Sequence, residues 1–114
     1  MGLDQFAIAI KQDTENQEIM CWRKHNRLEG WMEALWIAKG GTGTFNCKEV
    51  ELTSVDLVNL ESTIINRSLP QTGGFFFGTD SYGNSYDPTD DLEFISEARQ
   101  RIEDGWKIIY TSWW

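Results

Sequence analysis

The sequence has little of the chemistry on which common enzyme and metal sites depend. It contains one histidine, His25, and two cysteines, Cys21 and Cys47. Two thiols cannot complete a structural zinc site, and a disulfide-dense secreted scaffold needs more of them. A catalytic histidine needs a nucleophile or an orienting carboxylate, and the sequence places neither beside His25. We therefore expect no metal, no cofactor and no catalytic residues, with His25 on a helix surface and both cysteines in the core.

Long apolar runs are also missing. The most apolar stretch near the start, residues 3–10, is interrupted by Asp4 and Gln5, and no run approaches the roughly 20 residues of a membrane helix. No signal peptide is recognisable. The sequence predicts a cytoplasmic protein that does not associate with membranes.

Positive charge is scarce, because 10 Lys and Arg residues stand against 18 Asp and Glu, which gives a formal net charge of −8. Such a charge repels nucleic acid and suits a partner with a basic face, although it also serves solubility alone. No Lys or Arg occurs between Ser68 and Ala98, a segment that holds six acids: Asp80, Asp87, Asp90, Asp91, Glu93 and Glu97. This block is either a solvated face or a surface that imitates a phosphate backbone.

Aromatic side chains, in contrast, are abundant: six Trp, six Phe and three Tyr. Large aromatic residues bury much apolar area, which a small domain needs because its volume is small relative to its surface. The length of 114 residues predicts a single domain over residues 1–114.

Hydrophobic periodicity predicts the element order β-α-α-β-α-β-α-β. Strands are predicted at residues 3–11, 44–52, 75–77 and 106–114. Helices are predicted at residues 17–28, 31–39, 53–66 and 89–104. Asn16 and Thr89 are expected as helix caps, and Gly40 and Gly105 as helix stops. These elements predict an α+β fold with one mainly antiparallel sheet and helices on one face.

Two of these elements have recognisable apolar sets. Successive residues of the first predicted strand point to opposite sides. The side with Phe6, Ile8 and Ile10 is more apolar than the side with Ala7 and Ala9. The helix at residues 53–66 has an apolar stripe of Val55, Val58, Leu60 and Ile64, and the final helix has one of Leu92, Ile95, Ala98 and Ile102.

Several segments resemble a small, uncharacterised family of phage and prophage proteins. They are Gly2-Leu3-Asp4, Trp22-Arg23-Lys24 and Gly74-Phe75-Phe76-Phe77-Gly78. Some members carry a phosphoglycerate-kinase label, which a chain this short cannot justify, since such a kinase needs two nucleotide-fold domains. Members typically have an apolar residue followed by His where this chain has Leu28-Glu29. The resemblance implies a phage origin and the cytoplasm of an infected host, but it supplies no activity.

The matched residues suggest a binding site. Trp22, Arg23 and Lys24 on one helix would form a stacking and anion-binding face, and glycines beside Phe76 permit close backbone approach. The predicted site comprises Asp4, Trp22, Arg23, Lys24, Asn26, Trp31, Gly74, Phe76, Gly78, Tyr82 and Tyr86. The alternative is that Trp22, Trp31 and Phe76 are core residues and that Arg23 forms a structural ion pair with Asp4.

We therefore expect a non-enzymatic phage accessory protein that binds a host protein and modulates host metabolism, transcription or defence. The alternatives are a binding protein or sponge for a nucleotide-like anionic ligand, and an acidic DNA mimic; direct nucleic-acid binding is not expected. An enzyme using Asp4, Glu29 or Asp80 as a general acid or base is disfavoured. Trp113 and Trp114 suggest a homodimer, because exposed tryptophans often mark an interface.

Overall fold

The computed structural model describes residues 3–23, 25–66, 69 and 89–113. Within these residues the elements are β1 (Asp4–Ile10), β2 (Gln17–Arg23), α1 (Asn26–Ala38), β3 (Glu49–Leu52), α2 (Ser54–Ile65), α3 (Thr89–Glu103) and β4 (Lys107–Trp113). The strands form one antiparallel sheet in the order β2-β1-β4-β3. The predicted α+β class is confirmed.

The strand β4 lies inside the sheet and pairs on both sides. Along β1 its register runs from Trp113 opposite Asp4 to Lys107 opposite Ile10. Along β3 it runs from Thr111 opposite Glu49 to Ile108 opposite Leu52. A strand rich in β-branched and aromatic residues suits this position, because its side chains pack on both faces.

One face of the sheet packs against the helices. Alternate strand residues on that face, among them Ala7, Val50 and Tyr110, are at most 3% exposed. They join one core cluster with residues from all three helices, including Met32 of α1 and Leu60 of α2. The helices therefore lie on a single face of the sheet, as predicted.

Local capping signals set several helix boundaries. The helix α2 begins after Thr53, whose hydroxyl accepts the Asp56 N–H at 3.3 Å while the Asp56 carboxylate accepts the Thr53 N–H at 2.9 Å. The helices α1 and α3 end just before Gly40 and Gly105, which have φ values of 102° and 93°. The predicted stops at these glycines are confirmed, since glycine adopts left-handed φ without steric cost.

The predicted helix over residues 17–28 is wrong. Residues 17–23 form β2, which pairs with β1 from Gln17 opposite Ala9 to Arg23 opposite Asp4, with an irregularity between Ala7 and Ile8. The apolar residues of this short segment fit a helical spacing and a strand about equally well. Pairing with β1 decides in favour of the strand. The helix starts at Asn26 instead, capped by His25 rather than Asn16. The gap between the predicted helices at residues 17–28 and 31–39 lies inside α1.

Both cysteines are exposed, so their predicted core positions are wrong. Cys21 lies on edge strand β2. Cys47 precedes β3, in a segment that was predicted as strand but has a turn conformation with φ of 63° at Cys47. Phe45 is the core residue of the turn that precedes β3, and its ring centroid lies 5.0 Å from that of Trp36.

The inward stripe of α2 differs from the predicted one. Leu57, Leu60 and Ile64 are buried, whereas Val55 and Val58 are 68% and 53% exposed. In α3, Ile95 and Ala98 are buried as predicted, with Phe94 and Asp91 beside them, whereas Leu92 and Ile102 are half-buried. The predicted strand at residues 75–77 lies outside the described residues.

Candidate functional site

A polar network is buried where β1, α1 and β4 meet. Its members are Gln5, Glu29, Tyr110 and Ser112, each at most 1% exposed. The Tyr110 hydroxyl donates to Glu29 Oε1 at 2.6 Å, and the Ser112 hydroxyl donates to Glu29 Oε2 at 3.0 Å. Gln5 Nε2 donates to the Tyr110 hydroxyl at 2.8 Å. We call this set the Glu29 network.

The sheet register brings these side chains together. Gln5 lies directly opposite Ser112 and two residues before Ala7, which lies opposite Tyr110, so all three polar side chains point to the helical face. Glu29 lies in the first turn of α1 and reaches down to them. The amide of Gln5 also holds the start of α1, because its Oε1 accepts the His25 N–H at 2.8 Å.

Burial dominates the electrostatics of the Glu29 network. Removal from water raises the pKa of Glu29. The hydrogen bonds from Tyr110 and Ser112 lower it in part, and the charge of nearby Glu33 raises it further. Burial and the adjacent Glu29 carboxylate raise the pKa of Tyr110 well above its usual value, so Tyr110 remains a phenol that donates. A carboxyl group buried in this way fastens α1 to the sheet.

A second buried acid, Asp91 of α3, joins that helix to the β2–α1 junction. Its Oδ1 accepts the indole N–H of Trp22 at 2.9 Å, and its Oδ2 lies 2.7 Å from His25 Nε2. The His25 Nδ1 atom accepts the Leu28 N–H at 3.4 Å, which places the proton of a neutral ring on Nε2. Both ring nitrogens of His25 therefore have structural partners, and the predicted surface position is wrong because the side chain is only 16% exposed.

Trp22 and Arg23, two residues of the predicted Trp22-Arg23-Lys24 helix face, lie on strand β2 instead. Neighbouring residues on a strand point to opposite sides, so Trp22 packs towards the core, with its ring centroid 5.0 Å from that of Phe94. Arg23 points to the other side and lies 3.3 Å from Asp4. Trp22 and Trp31 are partly buried against the core and Arg23 pairs with Asp4, as the alternative interpretation expects, whereas Phe76 lies outside the described residues.

The remaining predicted site residues are scattered or undescribed. Asn26 is 4% exposed, and no described group hydrogen-bonds to its Oδ1. Trp31 is partly buried against the core. The other six lie outside the described residues: Lys24, Gly74, Phe76, Gly78, Tyr82 and Tyr86.

The face of the sheet opposite the helices has an apolar centre. We call it the outer sheet face and define it by Phe6, Ile8, Ile10, Ile109 and Trp113, whose positions follow from the register of β1 and β4. Phe6 and Trp113 pack with ring centroids 4.5 Å apart, and Trp113 remains 46% exposed. All three described helices contribute to the core on the opposite face.

Charged pairs border the outer sheet face. The Asp4–Arg23 pair lies at one end, and the Lys107 ammonium lies 3.6 Å from the Glu51 carboxylate at the other. Glu49 on edge strand β3 adds a further exposed acid. The sequence signal for this surface was the apolar set Phe6, Ile8 and Ile10, although the sequence could not show which set faced the helices.

No protein family, curated protein or solved structure matches this chain. No helix in the described part of the chain has the length and apolar character needed to span a membrane. The same residues contain no group of three or more His, Cys, Asp or Glu side chains placed to hold a metal ion.

Replacement of Asp91 tests its structural role. We expect Asp91→Ala to lower the free energy of unfolding by about 2 to 4 kcal/mol, because two buried N–H donors lose their acceptor. Asp90→Ala is the matched control, since Asp90 is exposed in the same first turn, and should cost at most about 1 kcal/mol. Urea unfolding followed by tryptophan fluorescence measures both. Equal losses in the two variants would contradict the role given to Asp91.

The Glu29 network predicts a specific pH dependence. Because the pKa of Glu29 is higher in the folded than in the unfolded chain, protonation of Glu29 stabilises the fold. This stabilisation is complete below the unfolded-state pKa near 4.5 and is lost as the pH rises through the folded-state pKa. Relative to wild type, Glu29→Gln should therefore gain stability over the pH range above 4.5.

Thermal melts across that range measure the difference between the two proteins. Glu93→Gln, the same carboxyl-to-amide change at an exposed position of α3, is the matched control. A Glu29→Gln offset from wild type that does not change with pH would show that the Glu29 carboxyl group titrates alike in the folded and unfolded chain.

Proposed function

We propose that this chain is a non-enzymatic phage accessory protein that binds a host protein through the outer sheet face. The observation that carries the proposal is an apolar sheet face with an exposed tryptophan and a charged border. A centre of aromatic and aliphatic residues within a polar rim is the usual anatomy of a protein interface. Tryptophan is the residue type most often responsible for binding energy at such centres.

The size of the surface favours a reversible complex. Four strands about 4.8 Å apart, with up to seven residues at about 3.3 Å each, give a face roughly 20 Å on a side. This is at the small end of specific interfaces, where transient regulatory contacts are found.

Charge indicates the chemistry of the partner. The rim acids Asp4 and Glu51 are paired within the chain, whereas Glu49 makes no ion pair with a described residue. With a net charge of −8, the protein attracts basic surfaces and repels acidic ones over about 10 Å at moderate salt. The expected partner has an apolar centre surrounded by Lys and Arg.

The internal use of the acid–base groups supports a binding role over an enzymatic one. Asp91 and His25 contact each other at 2.7 Å and each has a further structural partner. Glu29 is sealed at 1% exposure. The DNA-mimic alternative gains no support from α3, because Asp91 is buried and Glu97 lies 3.7 Å from Arg101 on the same helix.

Variants of the outer sheet face test the proposal. Trp113→Lys places a charge on the outer sheet face beside the Asp4–Arg23 pair. Ile37→Lys is the control, because Ile37 is an apolar residue of α1 with 56% exposure. Tagged wild type, each variant and an unrelated acidic protein are used as bait in a lysate of the bacterium that carries the gene. We expect wild type and Ile37→Lys to retain the same basic protein, and Trp113→Lys to retain it at least about tenfold less.

Salt adds a second readout, since roughly 0.5 M NaCl should release a partner held by charge complementarity. Circular dichroism confirms that both variants are folded. Equal retention by Trp113→Lys would exclude the outer sheet face, and no specific retention by wild type would contradict the binding function itself.

A small-ligand function is a second candidate, favoured by Asn26. Its buried Oδ1 lacks a hydrogen-bond donor among described groups, and an unsatisfied buried acceptor costs about 1 to 3 kcal/mol. A ligand N–H or O–H would satisfy it. Thermal-shift measurements against a nucleotide panel should then show a rise in Tm for wild type that is lost in Asn26→Ala. A flat panel would exclude nucleotides as the ligand class.

A further inference from the structure

The helix α2 has a second apolar stripe on its outward side. Val55, Val58 and Ile65 are 68%, 53% and 64% exposed, and they make up three of the five large hydrophobic residues exposed in the described chain. With Ser62 they follow a spacing of three, four and three residues, which places all four on one side of a helix. We call these four residues the outer α2 stripe.

This stripe is additional to the one that holds α2 in the fold. Leu57, Leu60 and Ile64 are at most 2% exposed and already anchor α2 to the core. A surface helix normally pairs one apolar face with a charged or polar face. Apolar residues on both sides therefore indicate that the outward side is also covered in an assembly.

The outer α2 stripe is electrically neutral in a strongly acidic protein. The helix contains no Lys or Arg. Its two acidic residues lie beside the stripe, and each is paired with a basic residue from another part of the chain. Asp56 lies 2.6 Å from the Lys39 ammonium, and Glu61 accepts two hydrogen bonds of 3.2 Å from Arg99. Two copies of a chain with net charge −8 repel each other least where such a neutral surface is in contact.

The stripe is also symmetric about the position of Leu60. Val55 and Ile65 are each five residues from Leu60, and Val58 and Ser62 are each two residues from it. In an antiparallel pair related by a twofold axis at this level, Val55 would meet Ile65 of the other copy and Val58 would meet Ser62. Isologous interfaces require this self-complementarity, and the small Ser62 side chain lets the helices approach closely.

We infer that the outer α2 stripe is a self-association face through which two copies of this chain form an antiparallel α2–α2 dimer. The occupant is a second copy because the stripe complements itself and has no charge for a basic partner to neutralise. A 12-residue helix is about 18 Å long, so the contact is much smaller than a stable interface of roughly 800 Å² per partner. The dimer is therefore weak and reversible, and salt strengthens it by screening the repulsion between copies.

Sedimentation at increasing protein concentration tests the dimer. We expect the average mass to rise from 13.2 kDa towards twice that value at high micromolar concentration, and more strongly in high salt. Val58→Glu should weaken the association at least about tenfold, whereas Ile37→Glu on α1 should leave it unchanged. Glutamate favours helix and Val58 is exposed, so the fold is retained in this variant. A monomer at all concentrations, or a dimer that is insensitive to Val58→Glu, would overturn the inference.

Cysteine cross-linking tests the antiparallel register independently of any loss-of-binding variant. Val58→Cys and Ser62→Cys are made in a background with Cys21→Ser and Cys47→Ser, because both natural thiols are exposed. A mixture of the two single-cysteine proteins should form disulfide-linked dimers faster than either protein alone. Faster cross-linking of either protein with itself would contradict the proposed pairing.

Discussion

The pairing of β4 with both β1 and β3 is the constraint on which the rest of the structure depends. Without β4, the β1–β2 hairpin and β3 would share no hydrogen bonds, because the sheet order places β4 between them. The same strand supplies Tyr110 and Ser112, which hold the Glu29 carboxyl group and thereby fix α1 on the sheet. One strand thus joins the sheet and positions the first helix.

Three polar side chains in the described part of the chain, His25, Glu29 and Asp91, are directed inwards and connect helices to the sheet. Exposed apolar side chains include Trp113 on the outer sheet face and Val55, Val58 and Ile65 on the outer α2 stripe. The two surfaces differ in charge, so salt should act on them in opposite directions, weakening a charge-complementary complex and strengthening a contact between acidic copies.

Elements with local signals could be predicted from the sequence, and elements that depend on distant residues could not. Gly40 and Gly105 end their helices by their own conformational freedom. The β2 strand was missed because its partner β1, and not its own residues, decides between strand and helix. The sequence also could not show that Phe6, Ile8 and Ile10 of β1 face away from the helices. The small Ala7 faces the helices instead, because its neighbours Met20 and Tyr110 are large enough to fill the core around it. The structural role of Glu29 could not be predicted, because its partner Tyr110 is 81 positions away.

The long separation between β1 and β4 has a consequence for biosynthesis. Gln5 and Tyr110 contact each other across 105 positions of sequence, so a nascent chain carries an unpaired edge of β1 for almost the whole time that the ribosome needs to reach β4. Such a high contact order slows folding and keeps sticky strands accessible. At about 5 to 20 residues per second, translation alone leaves that edge open for many seconds.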